Sequence, residues 1–207
     1  MPQVTIEAVE PVGDRTAALE LRTPDGFDAE PGQFLLVRAT VDGVEETGYY
    51  TISSPDTDGT MEVTVEYVPE GTLAPWLADR ESGDTVEIEG PFGDVRYTGE
   101  GAAVVLAEGP GIGPAVGIAE RARESGHDAT VVFWGQDPPH RDRLDALEAD
   151  GATVLLVESL DEATETLAAA EDATVYVFGF ESFVRDAKTV AEAVGVVDVR
   201  AESFGSR

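Results

Sequence analysis

The spacing of apolar residues along the chain changes near residue 98, and this change constrains the fold more than any other feature. Before it, short segments of alternating apolar and polar residues are separated by Gly, Pro and Asp, which is typical of antiparallel strands. These segments are 4–10, 16–22, 33–40, 61–68 and 85–90. We expect about six short strands with tight turns, interrupted by a short helix at 72–79, and hence a small antiparallel β-barrel over residues 1–98.

From residue 99 onward, continuous apolar runs alternate with helical patterns. The first run, AAVVLAE at 102–108, predicts a strand buried on both faces. Further strands are predicted at 130–135, 153–158 and 174–179, and helices at about 114–125, 141–149, 162–170 and 181–194. Regular strand–helix alternation predicts a doubly wound parallel sheet with helices on both sides. The sequence therefore predicts a β plus α/β two-domain protein whose second domain spans residues 99–207.

Composition excludes several functional classes. The 42 Asp and Glu against 13 Lys and Arg give a net charge of −29, which repels nucleic acid and anionic lipid surfaces, so we expect neither as a partner. The chain has no Cys, which excludes disulfides, thiolate nucleophiles and protein-bound iron–sulfur centres. Its two histidines, His127 and His140, are too few for an ordinary histidine metal site, so no metal is expected.

The basic residues suggest the solvent in which the protein works. Lys188 is the single lysine, and acidic residues are spread evenly from Glu7 to Glu202. This pattern suits molar salt, where the Debye length is roughly 3 Å, and favours a halophilic protein. The alternative is an acidic surface that steers a cationic partner, and it is compatible with adaptation to high salt. Because no apolar stretch approaches a membrane span and no secretory leader is visible, we expect a cytoplasmic protein.

A glycine-rich turn, GPGIGP at 109–114, directly follows the first buried strand of the second half. Its glycines allow close approach of a ligand, and the helix behind it offers unpaired N–H groups. Pro114 suits the first helical position, where no N–H is needed. The spacing is not that of the common dinucleotide fingerprint, and a tight turn without a ligand is the alternative interpretation.

Two segments of the predicted barrel could also contact a ligand. GYYTISSP at 48–55 places two tyrosines before a hydroxyl side chain, which could form a stacking surface beside a hydrogen-bond donor; these aromatics could equally be core residues. GTLAPWL at 71–77 begins a second helix, with Thr72 able to cap it. In the alternative, Gly71 is a turn residue, and Trp76 with Leu77 belongs to the core.

Six motifs together resemble one family. They are PGQFLLVR (31–38), YTISSP (50–55), the helix start at Gly71, GDTVEIEGPFG (83–93), GPGIGP (109–114) and ESFG (202–205). Their order and spacing are similar to those of the ferredoxin–NADP reductase family, over essentially the entire chain. That family joins a flavin-binding antiparallel barrel to a nicotinamide-binding α/β domain. The resemblance implies a flavoprotein oxidoreductase that takes hydride from NAD(P)H onto FAD and passes electrons to a separate acceptor.

The resemblance implies two catalytic residues. Thr51 would hydrogen-bond near the flavin N5 atom, where hydride arrives. Glu202 would belong to a C-terminal acidic–aromatic pair with Phe204, closing over the flavin and the nicotinamide. Alignment of the nicotinamide with the flavin and exclusion of water would then be the protein's contribution.

The resemblance also implies a set of cofactor-binding residues. Tyr50 would stack on the isoalloxazine ring, and the amides at the start of the short barrel helix would face the flavin phosphates. In the barrel these residues are Tyr50, Thr51, Ile52, Gly71, Thr72 and Leu73. In the α/β half, Gly109, Gly111, Ile112 and Gly113 would border the nicotinamide nucleotide, with Phe204 beside them.

Several positions depart from the family pattern. Gly48 replaces an arginine, Ala74 a serine or threonine, Pro110 a threonine and Phe178 a cysteine, while Glu181 adds negative charge near the expected nicotinamide site. Two lost pyrophosphate contacts of about 1.5–3 kcal/mol each would weaken flavin binding about 10²-fold or more. We therefore expect FAD to bind loosely, through stacking and backbone amides.

The choice between NADH and NADPH stays open at this point. Arg141 and Arg143 lie where a 2′-phosphate would need arginines, although both could be helix-surface residues. Asp137, near the end of the second strand of the α/β half, favours a free 2′-hydroxyl and hence NADH.

Three functions are compatible with these residues. The first is an NAD(P)H-dependent flavin oxidoreductase; because the chain has no Cys, its acceptor must be external: a ferredoxin, another carrier protein or a small molecule. The lack of Cys also disfavours the electron-transfer subunits of pyrimidine synthesis, which resemble this family but carry a cysteine-bound cluster. The second function is a non-catalytic module of the same fold that binds nucleotides or docks a partner. The third is a flavin reductase that uses flavin as a diffusing substrate.

Overall fold

The computed structural model describes residues 1–170, 172–196 and 198–205. The first half forms a six-stranded antiparallel sheet. Its strands are β1 (Gln3–Gly13), β2 (Thr16–Arg22), β3 (Phe34–Val41), β4 (Val44–Thr51), β5 (Thr60–Glu66) and β6 (Thr85–Phe92). The strand order is β4-β3-β6-β1-β2-β5, and a bridge between Ile52 and Val63 brings the two ends together. The predicted antiparallel, barrel-like fold is thus confirmed.

Alternation of side chains along these strands builds the barrel core. The apolar face of each strand points inward, and Ile6, Leu21, Leu35 and Ile88 are fully buried there. A short helix, α1 (Leu73–Ala78), closes one end of this core through Leu73 and Leu77. The barrel therefore leaves the end of β4 and the start of α1 at its rim.

The second half forms a parallel sheet with helices on both faces, as predicted. Its strands are β7 (Ala103–Ala107), β8 (Ala129–Trp134), β9 (Thr153–Val157), β10 (Thr174–Gly179) and β11 (Val199–Ser203), in the order β11-β10-β7-β8-β9. Its helices are α2 (Ile112–Glu124), α3 (Arg141–Ala149), α4 (Thr164–Ala168) and α5 (Glu181–Ala193). Every residue of the central strand β7 is buried. Helices α2 and α3 pack on one face of the sheet and α4 and α5 on the other.

Three details differ from the sequence-based expectations. The segment expected to be one helix at 162–170 is a 3-10 turn, Leu160–Ala163, followed by the short helix α4. A capping box between Ser159 and Glu162 stabilises the 3-10 turn at its N-terminus. Helix α2 begins at Ile112, so Pro114 is its third residue rather than its first. The sequence does not predict the fifth strand, β11, because this edge strand contains charged residues and has no apolar run.

Among the described residues, no helix is both long and apolar enough to cross a lipid bilayer. In the same part of the chain, no cluster of His, Asp or Glu side chains has the arrangement of a metal site. The predicted second domain, 99–207, includes residues 171, 197, 206 and 207, which lie outside the described residues.

Candidate active site

A cleft of about 830 Å³ lies between the rim of the barrel and the carboxyl edge of the parallel sheet. The barrel contributes β4, β5 and the start of α1, and the α/β half contributes Pro110, Phe180 and the end of β11. This volume lies within the range of about 300–1,000 Å³ that small-molecule and cofactor sites occupy. A crevice at the carboxyl ends of parallel strands is also where open α/β sheets bind ligands.

Aromatic side chains form the barrel wall of the cleft. Phe34 contacts Tyr49 edge-to-face, with ring centroids 5.5 Å apart, and lies 5.9 Å from Phe92. Tyr50 packs against the barrel core, and its burial raises the pKa of its hydroxyl to about 12. The wall is therefore an apolar, aromatic surface against which a planar ring could pack.

The ring of Tyr50 lies directly over Gly48 on the same face of β4. A Cβ atom at position 48 would approach the Tyr50 ring to 2.9 Å, so a side chain there would displace the ring from this position. Thr51 follows at the end of the strand, lines the cleft and is 9% exposed. Glycine at position 48 thus leaves space for the Tyr50 ring where the structure has it.

The start of α1 forms the rim of the cleft beside Tyr50. Gly71, Thr72 and Ala74 line the cleft, whereas Leu73 is buried in the barrel core. The Thr72 side chain makes no capping hydrogen bond, which corrects the expectation that it caps this helix. Its hydroxyl is therefore not committed to the helix that it precedes.

The opposite wall comes from the end of β11. Parallel pairing with β10 sets Glu202 beside Phe178 and Ser203 beside Gly179, and the Phe204 N–H donates to the Gly179 carbonyl over 3.0 Å. Phe204 then meets Phe180 at a perpendicular angle, with centroids 6.5 Å apart. Burial, and secondarily the charge of Asp94, raise the pKa of the Glu202 carboxyl.

Two glycines of the glycine-rich turn lie in close contact with neighbouring elements. A Cβ at Gly111 would collide with the Phe178 carbonyl oxygen, and one at Gly113 would lie 2.5 Å from the Thr64 hydroxyl. Ile112 is fully buried in the α/β core. From this turn, Pro110 is the residue that reaches the cleft.

Of the site residues chosen from the sequence, the fold brings one group together around the cleft. These are Tyr50, Thr51, Gly71, Thr72, Glu202 and Phe204. The others are not among the cleft-lining residues: Ile52, Leu73, Gly109, Gly111, Ile112 and Gly113. Sequence reasoning did not select Phe34, Phe92 and Phe180, which line the cleft from separate elements. Nothing in their local sequence distinguishes them from core phenylalanines.

Arg143 takes part in the junction between the two halves. Its Nε and Nη2 donate to the Glu120 carboxylate over 2.8 and 2.6 Å, and its Nη1 donates to Glu62 of β5 over 2.6 Å. Nη2 also donates to the Ser53 carbonyl over 2.6 Å. Because these contacts engage the three guanidinium nitrogens, Arg143 is not free to bind a nucleotide 2′-phosphate.

Glu108 is a further buried carboxylate at the carboxyl edge of β7. It is 9% exposed, and its Oε2 accepts from the Phe180 N–H over 3.1 Å. A Cβ at Gly179 would touch the Glu108 side chain. Glu108 therefore helps to hold the loop between β10 and α5 against the glycine-rich turn.

The cleft fits part of a flavin dinucleotide well. Its aromatic walls suit an isoalloxazine ring, and Thr51 and Thr72 offer hydroxyl groups at the rim. Its charged lining residues, within the described part of the chain, are the carboxylates Glu66 and Glu202, without a lysine or arginine to meet a pyrophosphate. The residues present therefore match the ring of the cofactor better than its phosphates.

Comparison with known families finds a match for the barrel. Residues 3–97 match the model of the oxidoreductase FAD-binding domain. The first half of the chain is therefore similar to the FAD-binding domains of oxidoreductases. The cleft wall formed by Tyr50, Thr51, Gly71 and Thr72 belongs to this matched segment.

Several curated proteins are similar over part of the chain. A probable dihydroorotate dehydrogenase B (NAD(+)), electron transfer subunit, of Methanopyrus kandleri is 37% identical over 131 residues, which are 63% of this chain and 47% of that protein. The ferredoxin reductase component of 3-ketosteroid-9-alpha-monooxygenase of Mycobacterium tuberculosis is 32% identical over 142 residues, 60% of this chain and 39% of that protein. The chain spans less than half the length of either relative.

Solved structures show the same fold over nearly the whole chain. The flavohem-like FAD/NAD binding domain of nitric oxide dioxygenase from Vibrio cholerae has a TM-score of 0.81 at 19% identity, covering 98% of both chains. A ferredoxin NADP+ reductase from Neisseria gonorrhoeae with bound FAD and NADP has a TM-score of 0.77 at 16% identity, also covering 98% of both. The chain thus shares its two-domain fold, an antiparallel barrel-like sheet followed by a parallel α/β sheet, with these structures.

Proposed function

We propose that this protein is an FAD-dependent NAD(P)H oxidoreductase that passes hydride from NAD(P)H to FAD and electrons on to a separate acceptor. One observation carries the proposal: the aromatic cleft joins the matched FAD-binding domain to the carboxyl edge of the parallel sheet. A nicotinamide held at that edge and a ring held on the barrel wall would meet inside one enclosed space.

The residues of the cleft have distinct roles in this proposal. Tyr50 would stack on the flavin ring, Thr51 would donate a hydrogen bond near its N5 atom, and Gly71 and Thr72 at the start of α1 would hold its phosphate arm. Glu202 and Phe204 close the opposite side and exclude water. The flavin, when bound, supplies the two-electron chemistry; the chain binds, orients and shields the two rings.

The remaining site residues have roles around this core. Ile52 and Leu73 sit behind the cleft wall and fix the backbone that faces the flavin. The turn residues Gly109, Gly111, Ile112 and Gly113 border the nicotinamide nucleotide through the backbone of the turn and the start of α2. Two of these glycines also permit the close packing that seals the junction.

An external acceptor completes the reaction. We propose a ferredoxin, another carrier protein or a small molecule, since the chain has no Cys to hold a cluster of its own. The names of the relatives support this, one being an electron transfer subunit and another a ferredoxin reductase component. The high negative charge argues against nucleic acids and membrane surfaces as partners.

We further propose that NADH is the donor and that the protein works in the cytoplasm of a halophile. The ion pairs of Arg143 leave it unable to serve a 2′-phosphate, and Arg141 is paired with Asp145 over 2.9 Å. The net charge of −29 and the single lysine support a high-salt interior.

The test is a spectrum followed by an assay. The protein, purified in molar KCl, is titrated with FAD, and oxidation of NADH and NADPH is then followed with a dye or cytochrome acceptor. We expect FAD to bind, NADH to reduce it, and electrons to reach the acceptor. Tyr50→Leu should lose FAD, at a cost of about 1–3 kcal/mol, while Tyr50→Phe, which keeps the ring, should retain it.

The same assay distinguishes the two other functions. A flavin reductase would turn over only with added flavin and release it after reduction; the lack of cations in the described cleft lining is the observation that favours it. A non-catalytic module would bind nucleotide without oxidising it. Absence of flavin binding at any salt concentration would contradict the oxidoreductase proposal.

A further inference from the structure

The junction between the barrel and helix α2 contains a second pocket, away from the aromatic cleft. Gly113 and Gly117 lie against the barrel, and a Cβ at Gly117 would approach the Ser53 carbonyl oxygen to 2.7 Å. Arg121, four residues further along α2, lies on the same side of the helix. Beside Arg121 is a pocket of about 290 Å³. Within the described chain, this pocket and the aromatic cleft share no lining residue.

Both halves of the protein line this pocket. The barrel contributes two loops, at 27–30 and 55–58, and the α/β half contributes Arg121. Phe27 and Pro55 supply apolar surface from the two loops. A ligand in the pocket would therefore contact both halves at once.

The guanidinium group of Arg121 differs from those of its neighbours. Its Nε atom is buried and makes no hydrogen bond with the described residues, and none of their carboxylates forms an ion pair with it. By contrast, Arg123 pairs with Asp150 over 3.1 Å, and Arg143 pairs with Glu120 over 2.6 Å. Because a cation that is partly removed from water needs a compensating partner, Arg121 indicates an anionic group that comes from a ligand.

The rest of the pocket carries the opposite charge. Four carboxylates line it: Asp28, Glu30, Asp56 and Asp58. Three of them, Asp28, Asp56 and Asp58, are exposed, whereas the Arg121 Nε is buried. The pocket is therefore positive at its inner end and negative at its mouth. A simple anion would be repelled at the mouth, and a simple cation would be repelled by Arg121.

We propose that this pocket binds a small zwitterion of the class of the free α-amino acids. The carboxylate of the ligand pairs with Arg121, and its ammonium group faces the carboxylates at the mouth. Its apolar part packs on Phe27 and Pro55. Charge-assisted hydrogen bonds at both ends of the ligand give the pocket its selectivity. A volume of about 290 Å³ is at the lower end of the range for small-molecule sites, which suits a ligand of this size.

This site goes beyond the proposed electron transfer and does not depend on a flavin. The ligand contacts α2 on one side and the barrel loops on the other, so it stabilises the contact between the two halves. Because the complete pocket exists only in the folded protein, the ligand raises the stability of the fold in proportion to the logarithm of its concentration.

The experiment compares L-valine with two analogues that each lack one of its charges. Thermal unfolding of the full chain is followed at constant KCl concentration and neutral pH, and calorimetric titration gives the dissociation constants. N-acetyl-L-valine lacks the ammonium group, and L-valinamide lacks the carboxylate. We expect L-valine to raise the unfolding temperature and to bind about tenfold or more tightly than either analogue. Glycine is included as the smallest zwitterion of the class.

A variant of Arg121 tests the inner end of the pocket. Arg121→Gln should abolish stabilisation by L-valine and leave the unliganded protein at least as stable, because a buried charge without a described partner is removed. Arg185→Gln is the matched control. Arg185 is an exposed residue of α5 that pairs with Asp186 over 3.0 Å, and its replacement should leave the response to L-valine unchanged.

A change at the mouth of the pocket should alter the preference among the ligands. Asp28→Asn combined with Asp58→Asn removes two of the exposed carboxylates. This double variant should bind L-valine more weakly and N-acetyl-L-valine more tightly than the unmodified chain does. The reason is that its mouth attracts the ammonium group less and repels an anion less.

Each contrary outcome overturns the proposal. Equal affinity for L-valine and N-acetyl-L-valine would indicate a simple anion site, and equal affinity for L-valinamide a simple cation site. Failure of both glycine and L-valine to bind, or an unchanged response in Arg121→Gln, would also overturn it. Flavin binding and NADH oxidation by Arg121→Gln should match those of the unmodified chain, so failure here leaves the proposed function intact.

Discussion

The Nε2 atom of His140 lies 2.8 Å from the hydroxyl oxygen of Thr64 and links the start of α3 to the barrel strand that lines the cleft. The histidine is 3% exposed, and its backbone N–H donates to the Val12 carbonyl over 2.9 Å. Pro139, just before it, packs against Gly13 at the tip of the β1–β2 hairpin. A buried histidine is therefore part of the contact between the two halves.

This buried histidine predicts a specific dependence of stability on pH. Burial, and secondarily the charge of Arg143, lower the pKa of His140 to about 3. The unfolded chain binds a proton at His140 more readily than the folded chain does. The contribution of the neutral histidine to the free energy of unfolding is therefore complete above about pH 6.5 and is lost as the pH falls. We expect His140 to remove about 2 kcal/mol of the free energy of unfolding between about pH 8 and about pH 5. Urea unfolding at a series of pH values measures it.

Two variants provide the comparison for this titration. His140→Gln should show a smaller loss of stability over the same pH interval, whatever its stability at high pH. Thr64→Val keeps the histidine buried and should retain the pH dependence, since burial is the main cause of the lowered pKa. Equal slopes for His140→Gln and the unmodified chain would contradict the prediction.

The ion pairs of Arg143 at the same junction predict that its replacement lowers the stability of the protein strongly. It bridges Glu120 of α2 and Glu62 of β5, and all three side chains are about a quarter exposed. Arg143→Gln leaves two carboxylates facing each other without a cation and should cost about 2–4 kcal/mol of the free energy of unfolding. Denaturant unfolding measures this change.

Arg141 offers a matched control for Arg143. It lies on the same helix, is exposed and pairs with Asp145 four residues later, so Arg141→Gln should cost only about 0.3–0.5 kcal/mol. Similar losses for the two variants would mean that the bridge between the halves contributes little to stability.

The fold could be predicted from the sequence because its signals are local. Alternation in the first half and the buried run Ala103–Ala107 in the second each mark their element within a few residues. The edge strand Val199–Ser203 carries no such signal, since it is recognised only by its pairing with Thr174–Gly179. Its position nevertheless decides where Glu202 and Phe204 lie.

The candidate site could be predicted only in part. Tyr50, Thr51 and Gly71 come from motifs in which the functional group and the turn that presents it are neighbours. The bridge from Arg143 to Glu62 joins residues 81 positions apart, and no local pattern in either segment reveals it. Sequence reasoning therefore identified the barrel side of the cleft better than the contacts that fix the two halves together.

The raised pKa of Glu202 predicts a second dependence of stability on pH, opposite in sign to that of His140. Its pKa is raised in the folded protein, mainly by burial, so the folded chain binds this proton more readily than the unfolded chain. Stability is therefore reduced as the pH rises through the folded pKa. Glu202→Gln should stabilise the protein at neutral pH relative to the unmodified chain and have little effect at about pH 4.

The neighbouring Asp94 tests the cause of this shift. Asp94→Asn removes the second contribution to the raised pKa of Glu202 and should move the titration of Glu202 toward lower pH. Thermal unfolding measured across this pH range detects both effects. Destabilisation by Glu202→Gln at neutral pH would show instead that the ionised carboxylate makes a favourable contact.

The packing of α2 on the barrel gives the last prediction, in which the usual effect of a substitution is reversed. In a helix interior, alanine is normally favoured over glycine by about 1 kcal/mol. At Gly117, however, a Cβ would lie 2.7 Å from the Ser53 carbonyl oxygen and 3.0 Å from that of Ser54, both of which belong to the backbone. Relief of this overlap requires α2 to move away from the barrel, and crowding of this kind costs about 1–3 kcal/mol.

Gly117→Ala should therefore lower the free energy of unfolding, by up to about 2 kcal/mol once the gain in helix propensity is subtracted from the cost of the overlap. Because α2 follows the turn that reaches the cleft at Pro110, the variant should also weaken flavin binding. Glu124→Ala, at the exposed end of the same helix, gives the effect of alanine without the overlap and should stay within about 0.5 kcal/mol of the unmodified chain. If Gly117→Ala were more stable than the unmodified chain, the distance between α2 and the Ser53 carbonyl would be larger than in the structure. Close packing at Gly117 would then not hold α2 against the barrel.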